Sequence, residues 1–556
     1  MAPYELKSLK LPKLSGLTLS IFVRVLSSRF GQMLLLKSLE DSGGVTKLRS
    51  LHVDDPPTFY PLRISSGPSP IAEKAVESPV ESVNTPFSTS RDFAKGYQEG
   101  RYTPLDVAEQ VIKNISKSEA GQEPLRLFIA QDREDFITQA KSATQRSQKG
   151  QRLSLLDGVP VAIKDEVDML PYPTTVGTAF LGTQPAQEDS TVVARLRAAG
   201  ALLVGKTNMH EIGIGPNSIN PHHGTVRNPY DVQRDAGGSS SGSAAAVAAG
   251  IVPAAIGADG GGSIRIPAAM CGVVGLKSTF GRVSEYGAAP LDWSIAHLGP
   301  IAASVHDTAL VYSIIAGPDP KDRYTLLQPP VTLSGWNTPH LKNLRCGVYP
   351  AWNEHADPEI VTCFKGMLAA LEKRGATLSE IEIPELDEIR ISHAITILSE
   401  MAKCMQPYKA QRRQMADSVQ LSLILGESFS ADDYLRAQQF RTRAMATFEA
   451  LFQEVDVILS PAAARTAQPI PSNHNSKEDW SDLSTSTEYM RYVNPANLTG
   501  LPAISFPIGY DLRGLPIGMQ AMGDHWQEHL ILRVAHNAEQ VVERKTPRIF
   551  YPVHNL

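Results

Sequence analysis

Two runs of glycine and serine are the clearest candidates for chemistry in this chain: Gly237-Gly-Ser-Ser-Ser-Gly-Ser243 and Gly257-Ala-Asp-Gly-Gly-Gly-Ser-Ile-Arg-Ile-Pro267. Successive glycines let a backbone turn several N–H groups into one concavity, which suits an oxyanion. A serine that closes such a nest is placed to attack the carbonyl whose oxygen the nest receives. Gly260, Gly261, Gly262 and Ser263 are the candidate donors. A phosphate-binding loop is the competing reading, along with a plain flexible loop. A phosphate loop places Lys-Ser/Thr after its glycines, whereas Ile264 follows Ser263.

A serine hydroxyl needs a base before it attacks. His210, His222, His223 and His297 are the histidines nearest in sequence. Lys164 competes with them, because it ends an apolar stretch and precedes Asp165. A lysine serves as base only when neutral, which takes burial or a nearby positive charge. The residues alone leave this choice open. Gly238-Ser-Ser-Ser-Gly242 also satisfies GxSxG, with Ser240 at its centre. A nucleophile elbow sits between a strand and a helix, and the stretch 227–235 before it is polar and turn-like.

The elements that must carry these residues alternate. Helical spacing runs from Thr103 to Ile115, with Thr103-Pro104 as cap and first turn. Val159 to Ile163 reads as a short buried strand ending at Lys164. Asp189 to Ala199 reads as a helix closed by Gly200, and Ala201 to Val204 as the next strand. An Ala-rich helix spans Ser243 to Ala249, and a strand Val252 to Ile256. This alternation points to an α/β domain with a mixed, mostly parallel sheet covered by helices on both faces. Residues 385–455 are long helical segments, and 385–490 is expected to cap the substrate side. Short strands return at 498–522, before a terminal helix from Trp526 to Val542.

Composition narrows the function. Apolar residues at 42% and charged residues at 20% are ordinary for a globular chain, and a net charge of −5 argues against nucleic acid as a partner. The four cysteines form no CxxC pair, so reduced thiols and a cytoplasmic setting are expected. His525 and His529 have metal-ligand spacing without a third ligand, so no metal and no cofactor are expected. Asn114-Ile-Ser116 and Asn497-Leu-Thr499 match the glycosylation pattern, but nothing else suggests secretion.

Residues 1–92 read as an N-terminal extension ahead of a catalytic domain at 93–556. Residues 6–39 carry Lys7, Lys10, Lys13, Arg24, Arg29 and Lys37 and no acid. Arg24 and Arg29 interrupt the apolar run, which falls short of the ~20 residues of a spanning helix. A basic amphipathic helix on a membrane surface, a mitochondrial transit peptide and a helix packed on the enzyme body are the three readings. A Pro- and Ser-rich linker is expected at 53–92.

The spaced motifs, taken together, resemble the amidase signature family. Gly237 to Pro267 is similar to its signature, and Gly158-Val-Pro-Val-Ala-Ile-Lys-Asp165 to its lysine motif. Gly205-Lys-Thr-Asn-Met209, Cys271-Gly-Val-Val-Gly-Leu-Lys277, Leu298-Gly-Pro300, Asn497-Leu-Thr-Gly-Leu-Pro502 and Gly514-Leu-Pro-Ile-Gly-Met-Gln520 follow in the family's order. The resemblance covers residues 95–545, and the whole chain looks most like amidases of filamentous fungi. It implies a Ser–cis-Ser–Lys triad: Lys164 as base, Ser239 on a cis peptide as relay, Ser263 as nucleophile. It implies a bracing pair of Asp259 and Arg265, with Ser240 bonding near the triad on the substrate side. Ala236, Ala258 and Gly260 depart from residues common in the family, and none removes a triad atom.

The resemblance implies hydrolysis of a carboxamide through an acyl-enzyme on Ser263, with a small-molecule amide as partner and a homodimer left open. The alternative is the glutamine-hydrolysing A subunit of a tRNA-dependent amidotransferase. A catalytically dead binding protein is disfavoured, since Lys164, Ser239 and Ser263 are all present.

Overall fold

Capping residues set the helix starts. The structure is a computed structural model, and it describes residues 4–9, 13–64, 85–471 and 478–553. Helices α1 (Gly16–Leu26) and α2 (Arg29–Gly43) open the chain, bent by 106° at the break between them. The Thr103 hydroxyl accepts from the Asp106 N–H and the Asp106 carboxylate from the Thr103 N–H, so a capping box starts α3 (Pro104–Ser118). Ser190 caps α4 (Thr191–Ala198) with its hydroxyl alone, accepting from Val193 N–H at 3.2 Å. Helix α5 (Ser241–Ala248) is buried at every position, which its run of small residues permits. After α6 (Arg265–Met270), the 385–455 stretch forms α7 (Leu386–Cys404), α8 (Asp417–Ser428) and α9 (Ala431–Glu454), and α10 (Glu528–Glu539) closes the domain.

Among the described residues eleven strands form one sheet. In chain order they are β1 (Phe128–Ala130), β2 (Pro160–Lys164), β3 (Leu202–Thr207), β4 (Ala254–Ala258), β5 (Val274–Lys277) and β6 (Leu298–Ala302). Then come β7 (Arg345–Val348), β8 (Thr377–Glu380), β9 (Val457–Pro461), β10 (Ala503–Tyr510) and β11 (Pro516–Gly523). Their order across the sheet is β8-β7-β9-β11-β10-β5-β6-β4-β2-β3-β1. The sheet is mixed, as expected, but it is not mostly parallel. Four neighbouring pairs are parallel and six antiparallel. Helical crossovers such as α4, between β2 and β3, produce the parallel pairs. Only residues 511–515 join β10 to β11, and so short a link allows a hairpin alone.

Strand β2 lies between β3 and β4, parallel to both, and all five of its residues are buried. That position accounts for its unbroken apolar run. Because β2 and β4 run the same way, Lys164 and the Ala258-Asp259 corner leave the sheet at one edge. Helix α5 precedes β4, so its N-terminus brings Ser239 and Ser240 to the same edge.

The N-terminal segment packs on this body through one face only. Lys13–Ser15 pairs antiparallel with Trp480–Asp482, and Leu19, Val23 and Leu26 of α1 pack with Leu421 and Ile424 of α8. The other face of the pair stays open, with Leu17 74%, Phe30 67% and Met33 70% exposed. No single described helix is long and apolar enough to cross a membrane. Of the expected linker at 53–92, residues 65–84 lie outside the described residues.

Candidate active site

Lys164, Ser239 and Ser263 line one small cavity of about 20 Å³. Lys164 Nζ lies 2.8 Å from Ser239 Oγ and 3.3 Å from the Ala258 carbonyl oxygen. Both side chains are shut away from water, and Ser263 keeps 8% of its surface. The Gly238–Ser239 peptide bond is cis. Ser239 and Ser263 come together because the Ser240 N–H donates to the Ser263 carbonyl at 3.2 Å, tying the first serine run to the second. The first run is held from below, where Gly237 N–H donates to Asp235 Oδ1 at 2.6 Å.

No imidazole ring of the four candidate histidines hydrogen-bonds either serine among the described residues; only the His210 backbone N–H reaches one, donating to the Ser239 carbonyl at 3.2 Å. His210 Nδ1 faces the Glu211 carbonyl, His222 Nε2 the Glu211 carboxylate, His223 Nε2 the Thr178 carbonyl and His297 Nδ1 the Ile295 carbonyl. Burial pushes His210 down to about 4, so its ring is neutral near pH 7.

The nest is built around the Asp259 carboxylate. Its Oδ1 accepts from Gly262 N–H at 2.7 Å and its Oδ2 from Ile264 N–H at 3.1 Å. Arg265 meets the same carboxylate through Nε and Nη2, both at 3.0 Å. Asn497 Nδ2 adds a bond at 2.9 Å, and Arg265 Nη1 reaches Gln520 Oε1 at 2.6 Å. Burial would raise the Asp259 carboxyl, but Arg265, Asn497 and Lys277 hold it well below the usual carboxylate range. The expected bracing pair is therefore a fully buried ion pair. Asn497, met in sequence as a glycosylation match, is itself buried within it.

This arrangement revises two expected roles. The Gly262 N–H belongs to Asp259 and is not free for an oxyanion. Gly262 turns the backbone instead, with φ +102° and a valine methyl 2.6 Å from where a Cβ would stand. The N–H groups of Gly260, Gly261 and Ser263 have no acceptor among the described residues. Ser240 does not line the cavity. Its hydroxyl donates to the Ala258 carbonyl at 3.2 Å and accepts from Ala258 N–H at 3.3 Å, so it joins α5 to β4.

Several contributors had no readable motif. His393 of α7 donates from Nε2 to the Gly260 carbonyl at 2.8 Å, and burial keeps this ring neutral, pushed down to about 4. Asp292 lines the cavity, and a Cβ on Gly260 would stand 1.6 Å from its carboxyl. That contact explains the departure at Gly260, because Asp292 fills the space a side chain would take. Glu166, two residues past Lys164, also lines the cavity, with Oε2 2.7 Å from Lys164 Nζ.

Two larger cavities flank the small one. A mostly apolar cavity of about 230 Å³ shares Ile397 with it and is lined by Ile391, Ile395, Leu398, Leu425 and Phe429. A second, of about 280 Å³, shares Leu291 and Ala296 and carries Glu285, Lys321 and Arg323.

The Asp259–Arg265 pair yields a stability prediction. Removing one partner leaves a buried charge unpaired, which costs ~3–5 kcal/mol. Arg265→Met should lower the midpoint of urea unfolding by a matching amount. An unchanged midpoint would show that the loop does not depend on this pair.

Comparison with known proteins agrees with this geometry. The family model described as Amidase matches residues 109–532. The chain is 37% identical to a fatty acid amide hydrolase of Arabidopsis thaliana, over 99% of this chain and 96% of that protein. It is 35% identical to the A subunit of the glutamyl-tRNA(Gln) amidotransferase of Cyanothece sp., over 78% of this chain and 94% of that one. The peptide amidase of Stenotrophomonas maltophilia has a similar structure, with a TM-score of 0.71 at 27% identity, covering 83% of this chain and 98% of that one. The chain belongs to the amidase family, and its reaction is hydrolysis of an amide C–N bond.

Proposed function

We propose that this amidase cleaves amides of long-chain fatty acids through an acyl-enzyme on Ser263. The apolar cavity that meets the triad cavity at Ile397 carries this reading, since it offers an acyl chain a dry wall beside the nucleophile. Kinship with fatty acid amide hydrolases over nearly the whole chain supports it. The glutamine-hydrolysing amidotransferase remains the second reading. Its relatives cover 78% of this chain, and glutamine has no use for an apolar cavity.

In this reading Lys164 takes a proton from Ser239 as Ser239 takes one from Ser263. The Ser263 oxygen attacks the carbonyl carbon, and the N–H groups of Gly260, Gly261 and Ser263 receive the developing oxyanion. The relay returns the proton to the departing nitrogen as the C–N bond breaks. Water then enters by the same relay and releases the fatty acid.

The open face of α1 and α2 fits a lipid-derived substrate. Leu39, Gly43 and Val45 line the apolar cavity, and Phe30 and Met33 of α2 are exposed. With Arg24, Arg29 and Lys37 nearby, this face suits an anionic bilayer surface. The full chain should sediment with anionic vesicles, and a Phe30→Ser, Met33→Ser double variant should not. Equal sedimentation of both would remove this role.

Two activity measurements test the reaction. Ser263→Ala should lose several orders of magnitude in kcat with its unfolding transition intact. Retention of a tenth of the rate would exclude it as nucleophile. For wild type, kcat/KM should rise roughly fourfold per added acyl methylene until the cavity is filled, from ~0.8 kcal/mol per buried CH2. Leu398→Trp should flatten that rise while sparing short amides. A profile indifferent to chain length, or glutamine turned over as fast as a long-chain amide, would overturn the substrate reading.

A further inference from the structure

The cavity around Lys164 holds more acid than the triad uses. Glu166, Asp292 and Glu285 surround the lysine, and Glu400 of α7 stands behind Asp292. They are not equivalent. Burial pushes Asp292 well above the usual carboxylate range and Glu285 up to about 8, and the neighbouring acids push the same way. At about 8, Glu285 is a neutral acid near pH 7. Glu400 is engaged with Ser294 and Tyr434. Glu166 alone has a cation against it, at 2.7 Å, with 1% of Lys164 and 8% of the Glu166 side chain exposed.

Local geometry turns Glu166 onto the lysine. The Val167 N–H donates to the Lys164 carbonyl at 3.1 Å, closing a turn that folds the Glu166 side chain back. The Ala289 N–H pins the Glu166 carbonyl at 2.8 Å. Among the described residues Oε2 has no polar partner but Lys164 Nζ. The preceding acid of the motif works elsewhere. Asp165 accepts from Gly177 N–H at 3.1 Å and from Thr175, and pairs with Lys206 at 3.4 Å. His210 also faces Lys164 and is neutral.

We propose that Glu166 is a positioning residue for the hydrolysis, acting through Lys164. Its carboxylate holds the amine on Ser239 and balances the positive charge that Lys164 acquires with the Ser239 proton. The inference rests on Lys164 being the base. Forming an ammonium at a site closed to water is costly unless an anion is already in place. The Glu166 carboxylate at 2.7 Å is the group placed to supply it, and the relayed proton does not pass through it. The proton moves from Ser263 to Ser239 to Lys164 and returns to the departing nitrogen. Without the carboxylate the amine is a weaker base. It is then slower to take a proton, and it gives one up at lower pH.

These two consequences occur together only if the charge matters. Glu166→Gln keeps the shape and removes the charge. On a long-chain amide its kcat should fall roughly 10²-fold at the alkaline plateau, since general-base catalysis is worth about that much. The rising limb of its pH profile should move about one pH unit or more toward acid, since a facing charge at this range shifts a titration by 1–3 units. Labelling of Ser263 by a fluorophosphonate should slow and shift in the same way, and it reports a folded site without turnover. Glu166→Asp should recover part of both changes.

A slow Glu166→Gln enzyme whose limb stays in place would make the role merely structural and overturn the proposal, as would a wild-type profile. If Glu166→Gln does not fold, Glu166→Asp alone decides, because its shorter side chain leaves the charge farther from Lys164 and must still move the limb toward acid. Lys164→Ala separates the two readings. Full amide activity of that variant would remove the triad reading itself, whereas an inactive Lys164→Ala beside an unmoved Glu166→Gln profile sinks only the role of Glu166.

Discussion

The Asp259 carboxylate decides where the backbone of residues 259–264 points. It takes the N–H groups of Gly262 and Ile264, and Arg265 fixes it from the opposite side. Gly260, Gly261 and Ser263 line the cavity, and their N–H groups have no acceptor among the described residues. A nest of this kind needs no rearrangement when charge develops in front of it. The ion pair is also what the surrounding elements converge on. Asn497 and Gln520 reach it from remote parts of the chain, and the Val493 carbonyl accepts from Arg265. The core of the sheet and the geometry of the nest are therefore one construction.

Charge in the neighbouring pocket is kept low by burial. Burial raises Asp292 and Glu285, the His210 and His393 rings are neutral, and Glu166 lies against Lys164. A pocket of small net charge suits an acyl chain as well as it suits proton relay. Apolar ligand atoms meet few polar groups they would strip of water. The same burial that closes Lys164 off from water makes the adjoining wall fit for hydrocarbon.

The parts of the site that need particular atoms were legible in sequence. Lys164, Ser239, Ser263, Asp259 and Arg265 sit in local motifs, because each must present a given group at a given point of one strand end or one turn. Strands β2 to β4 and the helices between them were legible for the same reason of locality. The alternation overstates the parallel share of the sheet, because β1 pairs antiparallel with β3 and β6 antiparallel with both β4 and β5, within the alternating half itself, and the hairpin at 511–515 adds another such pair. The Gly262 N–H and the Ser240 hydroxyl were misassigned for a different reason. Residue type shows that a donor exists, but only folding shows that Asp259 or Ala258 has already taken it. His393, Asp292 and Glu166 left no signal, as each reaches the site from the side opposite the motifs or as a neighbour of one.

Specificity is harder to read than chemistry because a cavity for hydrocarbon is defined by volume. Ile391, Ile395 and Leu398 come from α7, Leu425 from α8, Leu39 and Val45 from the N-terminal segment, yet none of these positions requires one residue type. Any set of side chains that leaves the same space serves equally, so no spacing is imposed on the chain. A nucleophile tolerates no such exchange. The N-terminal segment belongs to the first kind of information. It touches no triad atom, and its pairing of Lys13–Ser15 with Trp480–Asp482 reads as mere packing until the cavity behind it is seen. Its side chains complete a wall whose other side is built hundreds of residues away, and a wall of that origin exists only in the folded chain.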